Sequence, residues 1–168
     1  MAGHTLALLS GDLEGGIALI DRALTLNPNS ANAWRVSGMD HAYLGHTELA
    51  ITHLERSARL SPLDSFAFLH SIGFVIAHFV AGRYEEASAW CDKTMHEAPH
   101  HPSGLRYKAA TCGLLGRLEE GRVWVERLLA INPDVSISSM RCFYGVIMKK
   151  PGCLDAFLNG LRKAGLPE

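Results

Sequence analysis

The segment Trp34 to Pro62 reads WRVSGMDHAYLGHTELAITHLERSARLSP, and its reading decides the fold. Apolar residues recur at helical spacing on both sides of Gly45, and Pro62 closes the segment. Glycine tolerates the left-handed backbone that ends a helix. Proline cannot continue one. The segment therefore predicts two helices joined by a tight turn at Gly45.

The same punctuation recurs along the chain. Leu26-Asn27-Pro28 returns as Leu60-Ser61-Pro62 and Ile131-Asn132-Pro133, with Ala98-Pro99 as a weaker copy. The prolines Pro28, Pro62, Pro99 and Pro133 are separated by 34, 37 and 34 residues, and Gly11, Gly45, Gly82 and Gly116 show the same steps. Each glycine precedes its proline by 17 residues. A half-repeat of that length holds about 12 to 14 helical residues and a short turn.

Two further columns follow this register. Gly16, Ala50, Ala87 and Gly121 are all small, as a close helix crossing requires, and Ile20, Leu54, Cys91 and Val125 stand four residues later as a buried column. The three extra residues of the middle step fall between Pro62 and Gly82 and predict a lengthened first helix there. After Pro133 a serine-rich, poorer helix leads to Pro151-Gly152, and Leu154, Phe157, Leu158 and Leu161 form a last amphipathic helix. A stacked array needs such a cap. The expectation is one all-α domain over residues 1–168, a right-handed superhelical stack of about nine to ten antiparallel helices. Its repeats span about 1–30, 31–64, 65–101 and 102–135, with a capping segment 136–168.

Composition narrows the function. Charged residues make up 20% and the formal net charge is -1, so no strong field draws the chain to nucleic acid or an anionic membrane. The most apolar run, Phe66 to Ala81, carries His70 and His78 and is too short and polar to span a bilayer. Cys91, Cys112, Cys142 and Cys153 form no metal or haem spacing, and the start lacks a signal-peptide pattern, which points to a reducing, cytoplasmic setting. No phosphate-loop, dinucleotide, zinc-protease or nucleophile-elbow motif occurs, so neither cofactor nor catalysis is expected.

Hairpins of 34 residues with this Gly, small-residue and Pro pattern resemble the tetratricopeptide repeat. The second unit keeps the family's Trp34, Gly45, Ala50 and Pro62, but has Ser37 where Leu is usual and His41 where Tyr is usual. The fourth keeps Gly116, Leu118-Glu119-Glu120 and Pro133, but carries Lys108 at a usually apolar position. A narrower resemblance rests on GIALIDRALTLNPNSANAWRVSG (Gly16 to Gly38), AHFVAGRYEEASAW (Ala77 to Trp90) and LRKAGLPE (Leu161 to Glu168). These look like the C-terminal repeat region of bacterial proteins with a class III adenylate/guanylate cyclase or winged-helix domain. No cyclase aspartates or winged helix map here, so neither activity carries over. The first unit starts partway into a helix, as in a fragment of a longer protein or a truncated one.

The resemblance implies binding of a peptide or partner helix on the concave face. That groove is expected to comprise Arg35, Met39, Tyr43, Ile72, Ile76, Phe79, Arg106 and Tyr107. Ile76, Phe79 and Tyr107 should then be partly exposed, and Arg35 and Arg106 could pair with a ligand carboxylate. Full burial would instead favour self-association, making the chain the dimerisation element of a larger signalling protein. Only Arg35 suits the clamp with which relatives hold acidic chaperone tails, so that ligand is not expected. His96, His100 and His101 flank Pro99 and lack the partners of a four-ligand metal site. His41 and His78 read as packed residues, and Cys91 and Cys112 as small buried hydrophobes.

Overall fold

A computed structural model describes residues 10–62 and 67–168. Among the described residues there are nine helices and no strand: α1 (Leu13–Leu26), α2 (Ala31–Leu44), α3 (Thr47–Leu60), α4 (Ala67–Ala81), α5 (Tyr84–Glu97), α6 (Pro102–Leu114), α7 (Leu118–Ile131), α8 (Ile137–Gly145) and α9 (Cys153–Lys163). The all-α stack of hairpins expected from the punctuation is present. Residues 63–66, on which the expected lengthening of the third unit's first helix partly rests, lie outside the described residues; α4 itself has 15 residues.

The turns are built as the residues require. Gly11, Gly45, Gly82 and Gly116 have φ of 73°, 90°, 81° and 75°, the left-handed region where a Cβ is strained. At Gly45 the backbone N–H donates to Ala42 O, and His46 N–H donates to His41 O at 2.9 Å, which satisfies the orphan carbonyls of α2. Gly82 and Arg83 repeat this against Phe79 and His78. At the other ends, Asn27, Ser61, Ala98 and Asn132 turn to φ near −140° before the prolines, because a residue preceding proline is pushed out of the helical region.

Hairpins α2–α3, α4–α5 and α6–α7 stack side by side. α2, α4 and α6 form one layer and α1, α3, α5 and α7 the other, and α9 packs on α6 at the end of the first layer. Small residues set the approach. Ala50 and Ala87 are fully buried, and Gly16 and Gly121 are buried too. Leu54 is wedged between two glycines: a Cβ on Gly38 would sit 2.7 Å from its Cγ, and one on Gly73 2.4 Å from its Cδ2. α6 and α9 also cross closely: a Cβ at Gly113 would lie 2.0 Å from Gly160 O.

Candidate functional site

The chain's own tail lies against the first-helix layer, the face expected to carry the groove. After α8 the segment 146–152 returns over the C-terminal ends of α2 and α4. Lys149 N–H donates to Tyr43 O at 3.0 Å, and the Lys150 ammonium donates to Val80 O at 2.7 Å. Both carbonyls belong to last turns, which have no partner within their helices and carry partial negative charge. Beneath lies an aromatic floor. Phe79, Tyr107, Tyr144 and Phe157 pack edge-on or tilted, with centroids 4.6 to 6.0 Å apart. Ile147 is fully buried and Met148 nearly so.

This corrects the expected exposure of the groove's centre. Ile76, Phe79 and Tyr107 are each only 1% exposed, and Tyr43 and Ile72 are buried as well. Phe79 and Tyr107 are covered by Tyr144 and Phe157 of the tail. Burial also holds the Tyr43 and Tyr107 hydroxyls well above the ordinary phenol range. The Tyr144 hydroxyl is pushed up by burial too, against the pull of the neighbouring Arg106 guanidinium. Arg35, Met39 and Arg106 are half-buried, the last beside Tyr144, so the structure splits the eight residues into a partly covered set of three and a fully covered set of five. Arg35 is held by Asn32 Oδ1 and reaches Met39 Sδ at 3.6 Å.

The departures from the repeat pattern form polar sites of their own. Ser37 Oγ lies 2.9 Å from His53 Nδ1, and His41 Nδ1 lies 3.2 Å from His46 Nδ1. Trp34 packs edge-on against His53 and carries Arg56 over its ring at 4.5 Å. Lys108 is almost wholly buried, yet its three donors are matched: Asp92 Oδ1 at 2.6 Å, Glu120 Oε1 at 3.1 Å and Ser88 Oγ at 3.2 Å. Burial opposes the ammonium, but the bonds to Asp92 and Glu120 outweigh it and raise the Lys108 pKa. The odd lysine was visible in the sequence; its partners, on two other helices, were not.

His96 and His100 are exposed, and His101 packs against Phe68 at 5.2 Å; among the described residues no group of three or more ligands could hold a metal. His41 and His78 are half-buried. Burial is the main reason the thiols of Cys112 and Cys153 are pushed up to about 12 and about 11, and that of Cys91 higher still, so none is a ready nucleophile. No helix among the described residues is long and apolar enough to cross a membrane.

No family model and no curated protein matches the chain. Its structure, however, is similar to a crystal structure of MamA, with a TM-score of 0.62 and 17% identity over 96% of this chain and 91% of that one. It is also similar to YrrB, described as a TPR protein with an unusual peptide-binding site, with a TM-score of 0.57 and 13% identity over 95% and 82% of the two chains. The fold is that of the tetratricopeptide repeat. At these identities the likeness extends to the TPR scaffold alone. The departures at Ser37, His41 and Lys108 belong to this chain's own TPR units.

Proposed function

We propose that this chain is a protein-interaction module that holds a peptide or partner helix, and that it acts without catalysis or cofactor. The observation that carries this is the less covered part of the first-helix face, where Arg35 lies beside the flexible apolar side chain of Met39 and Arg106 adds a second, half-buried guanidinium. Arginine is enriched at binding hot spots and pairs bidentately with carboxylates. The peptide-binding site named for YrrB agrees with this use of the scaffold. In this reading the module regulates or localises an attached or partner effector in the cytoplasm, a cyclase or transcription regulator of the kind its phrases resemble, and touches neither nucleic acid nor membrane itself.

A peptide-display selection against the chain tests the reading. Selected peptides should carry acidic or C-terminal carboxylates, and the Arg35→Glu/Arg106→Glu variant should lose them in a salt-dependent way while keeping its helicity. Equal binding by that variant would refute the role of this face. The competing reading, self-association, is favoured by the burial of Ile76, Phe79 and Tyr107. A concentration-dependent dimer seen by sedimentation, with no selectable peptide, would decide for it.

A further inference from the structure

The covered part of the concave face shows what chemistry it accepts, because the tail is already seated there. Three features define the seat. The first is the aromatic floor of Phe79 and Tyr107 with Phe157 of the cap, which takes the Tyr144 ring. The second is an apolar shelf where Ile147 and Met148 are buried. The third is the pair of helix-end carbonyls, Tyr43 O and Val80 O, which take a backbone N–H and an ammonium from consecutive residues, Lys149 and Lys150. A cation is the natural occupant at a helix C-terminus. The seated segment is therefore an aromatic residue, two adjacent aliphatics and then lysines.

Its polar attachment to α2 and α4 is distinct from that of the cap, although Tyr144 also packs on Phe157. α9 is locked to α6 by the Gly113–Gly160 crossing, and Gly121 backs Ala164 just beyond it. The segment before α9 is joined through Pro151 and Gly152, where Gly152 takes φ 76° and a Cβ would meet nothing within 4 Å. A cleft of about 260 Å³ runs along that junction between Phe79, Val80 and Tyr84 on one side and Lys150, Cys153 and Ala156 on the other.

We propose that residues 144–150 are a tethered, exchangeable occupant, and that a partner segment of the same chemistry, aromatic then aliphatic then basic, binds by replacing them. The proposal rests on the interaction-module reading and extends it to Tyr43 and Tyr107, whose contacts with Lys149 and Tyr144 a ligand takes over on exchange, while Phe157 of the cap stays on Phe79. The tail then sets the apparent affinity: with about 1% of molecules open, a ligand binds about a hundredfold more weakly than to a bare face.

The probe is a fluorescein-labelled synthetic peptide of residues 143–152, followed by anisotropy against the full chain. Ile147→Ala/Lys150→Ala in the chain weakens the tethered copy, and this variant should bind the peptide at least tenfold more tightly than the wild type. A peptide with glutamate at both lysine positions should not bind. Equal affinity of the two chains, or binding by neither, overturns the proposal. Should the variant fail to fold, native-state hydrogen exchange of the wild type decides. Amides of Met148 and Lys149 exchanging at least tenfold faster than those of α4 and α6 support exchange; protection that is lost only with global unfolding overturns it. Failure here with success of the Arg35/Arg106 selection would leave the module reading standing and make the tail a permanent part of the fold.

Discussion

Substituting Gly113 by alanine sets two effects of opposite sign against each other. In an open helix interior, Gly→Ala gains roughly 0.8–1 kcal/mol of helix propensity. At Gly113 the new Cβ would lie 2.0 Å from Gly160 O and 2.8 Å from Gly160 C, both backbone atoms of α9. Backbone cannot rotate away as a side chain can, so α6 and α9 must separate by about an ångström. Overpacking of this kind costs typically 1–3 kcal/mol. The penalty should outweigh the propensity gain, leaving Gly113→Ala less stable than the wild type by up to about 2 kcal/mol. For a chain of this size each kcal/mol moves Tm by about 2–4 °C. Gly145→Ala is the control, since its Cβ would meet only Leu154 Cδ2 at an ordinary 3.7 Å. It should hold or raise Tm. Calorimetry of both variants, with urea titration for ΔG, makes the comparison. A Gly113→Ala protein as stable as Gly145→Ala would refute the close α6–α9 crossing and, with it, the position of the cap.

Three further outcomes follow from the same physics. Ala50→Leu and Ala87→Leu should each destabilise by about 1–3 kcal/mol through overpacking, because both alanines are fully buried; unchanged thermal midpoints would show that neither lies at a helix crossing. Lys108→Met keeps the buried volume and frees Asp92 and Glu120 toward solvent, so it should stay within about 1 kcal/mol of wild type or exceed it, whereas Lys108→Ala should cost about 2–4 kcal/mol by leaving a cavity, both read by urea unfolding. Burial comes first among the causes lowering the pKa of His41, His53, His78 and His101 from 6.5. The unfolded chain then binds more protons than the native one, so this stability is full above about pH 6.5 and is lost as pH falls through the native values. Unfolding free energies at pH 5 and 7.5 should differ in that sense; equal values would contradict it.

The hairpins were legible because their signals are local. Gly45 and Pro62 state backbone requirements that neighbouring residues cannot override, and the observed φ of Gly45 and the turn before Pro62 obey them. Ala50 and Leu54 were legible for a related reason, since one face of a helix repeats on itself. The centre of the groove was not. Nothing near Phe79 or Tyr107 announces that Tyr144 and Phe157 will cover them, for those contacts depend on how a distant serine-rich segment and the capping helix fold back. Lys108 lies between these cases: the register marks it as out of place, but Asp92 and Glu120 become its partners only when three helices meet.

The bond from Lys150 to Val80 joins residues 70 apart in sequence, and that from Lys149 to Tyr43 spans still more. The hairpins, in contrast, close over short loops. Local closures are fast and long ones slow, so the helix pairs should form first and the tail dock last. During synthesis the order is stricter, because residues 144–150 leave the ribosome after every helix they cover. For that interval the nascent chain carries a bare aromatic groove. A chain stopped shortly after Ile131 would keep it bare for good, and such a product should be prone to aggregation or to capture by chaperones.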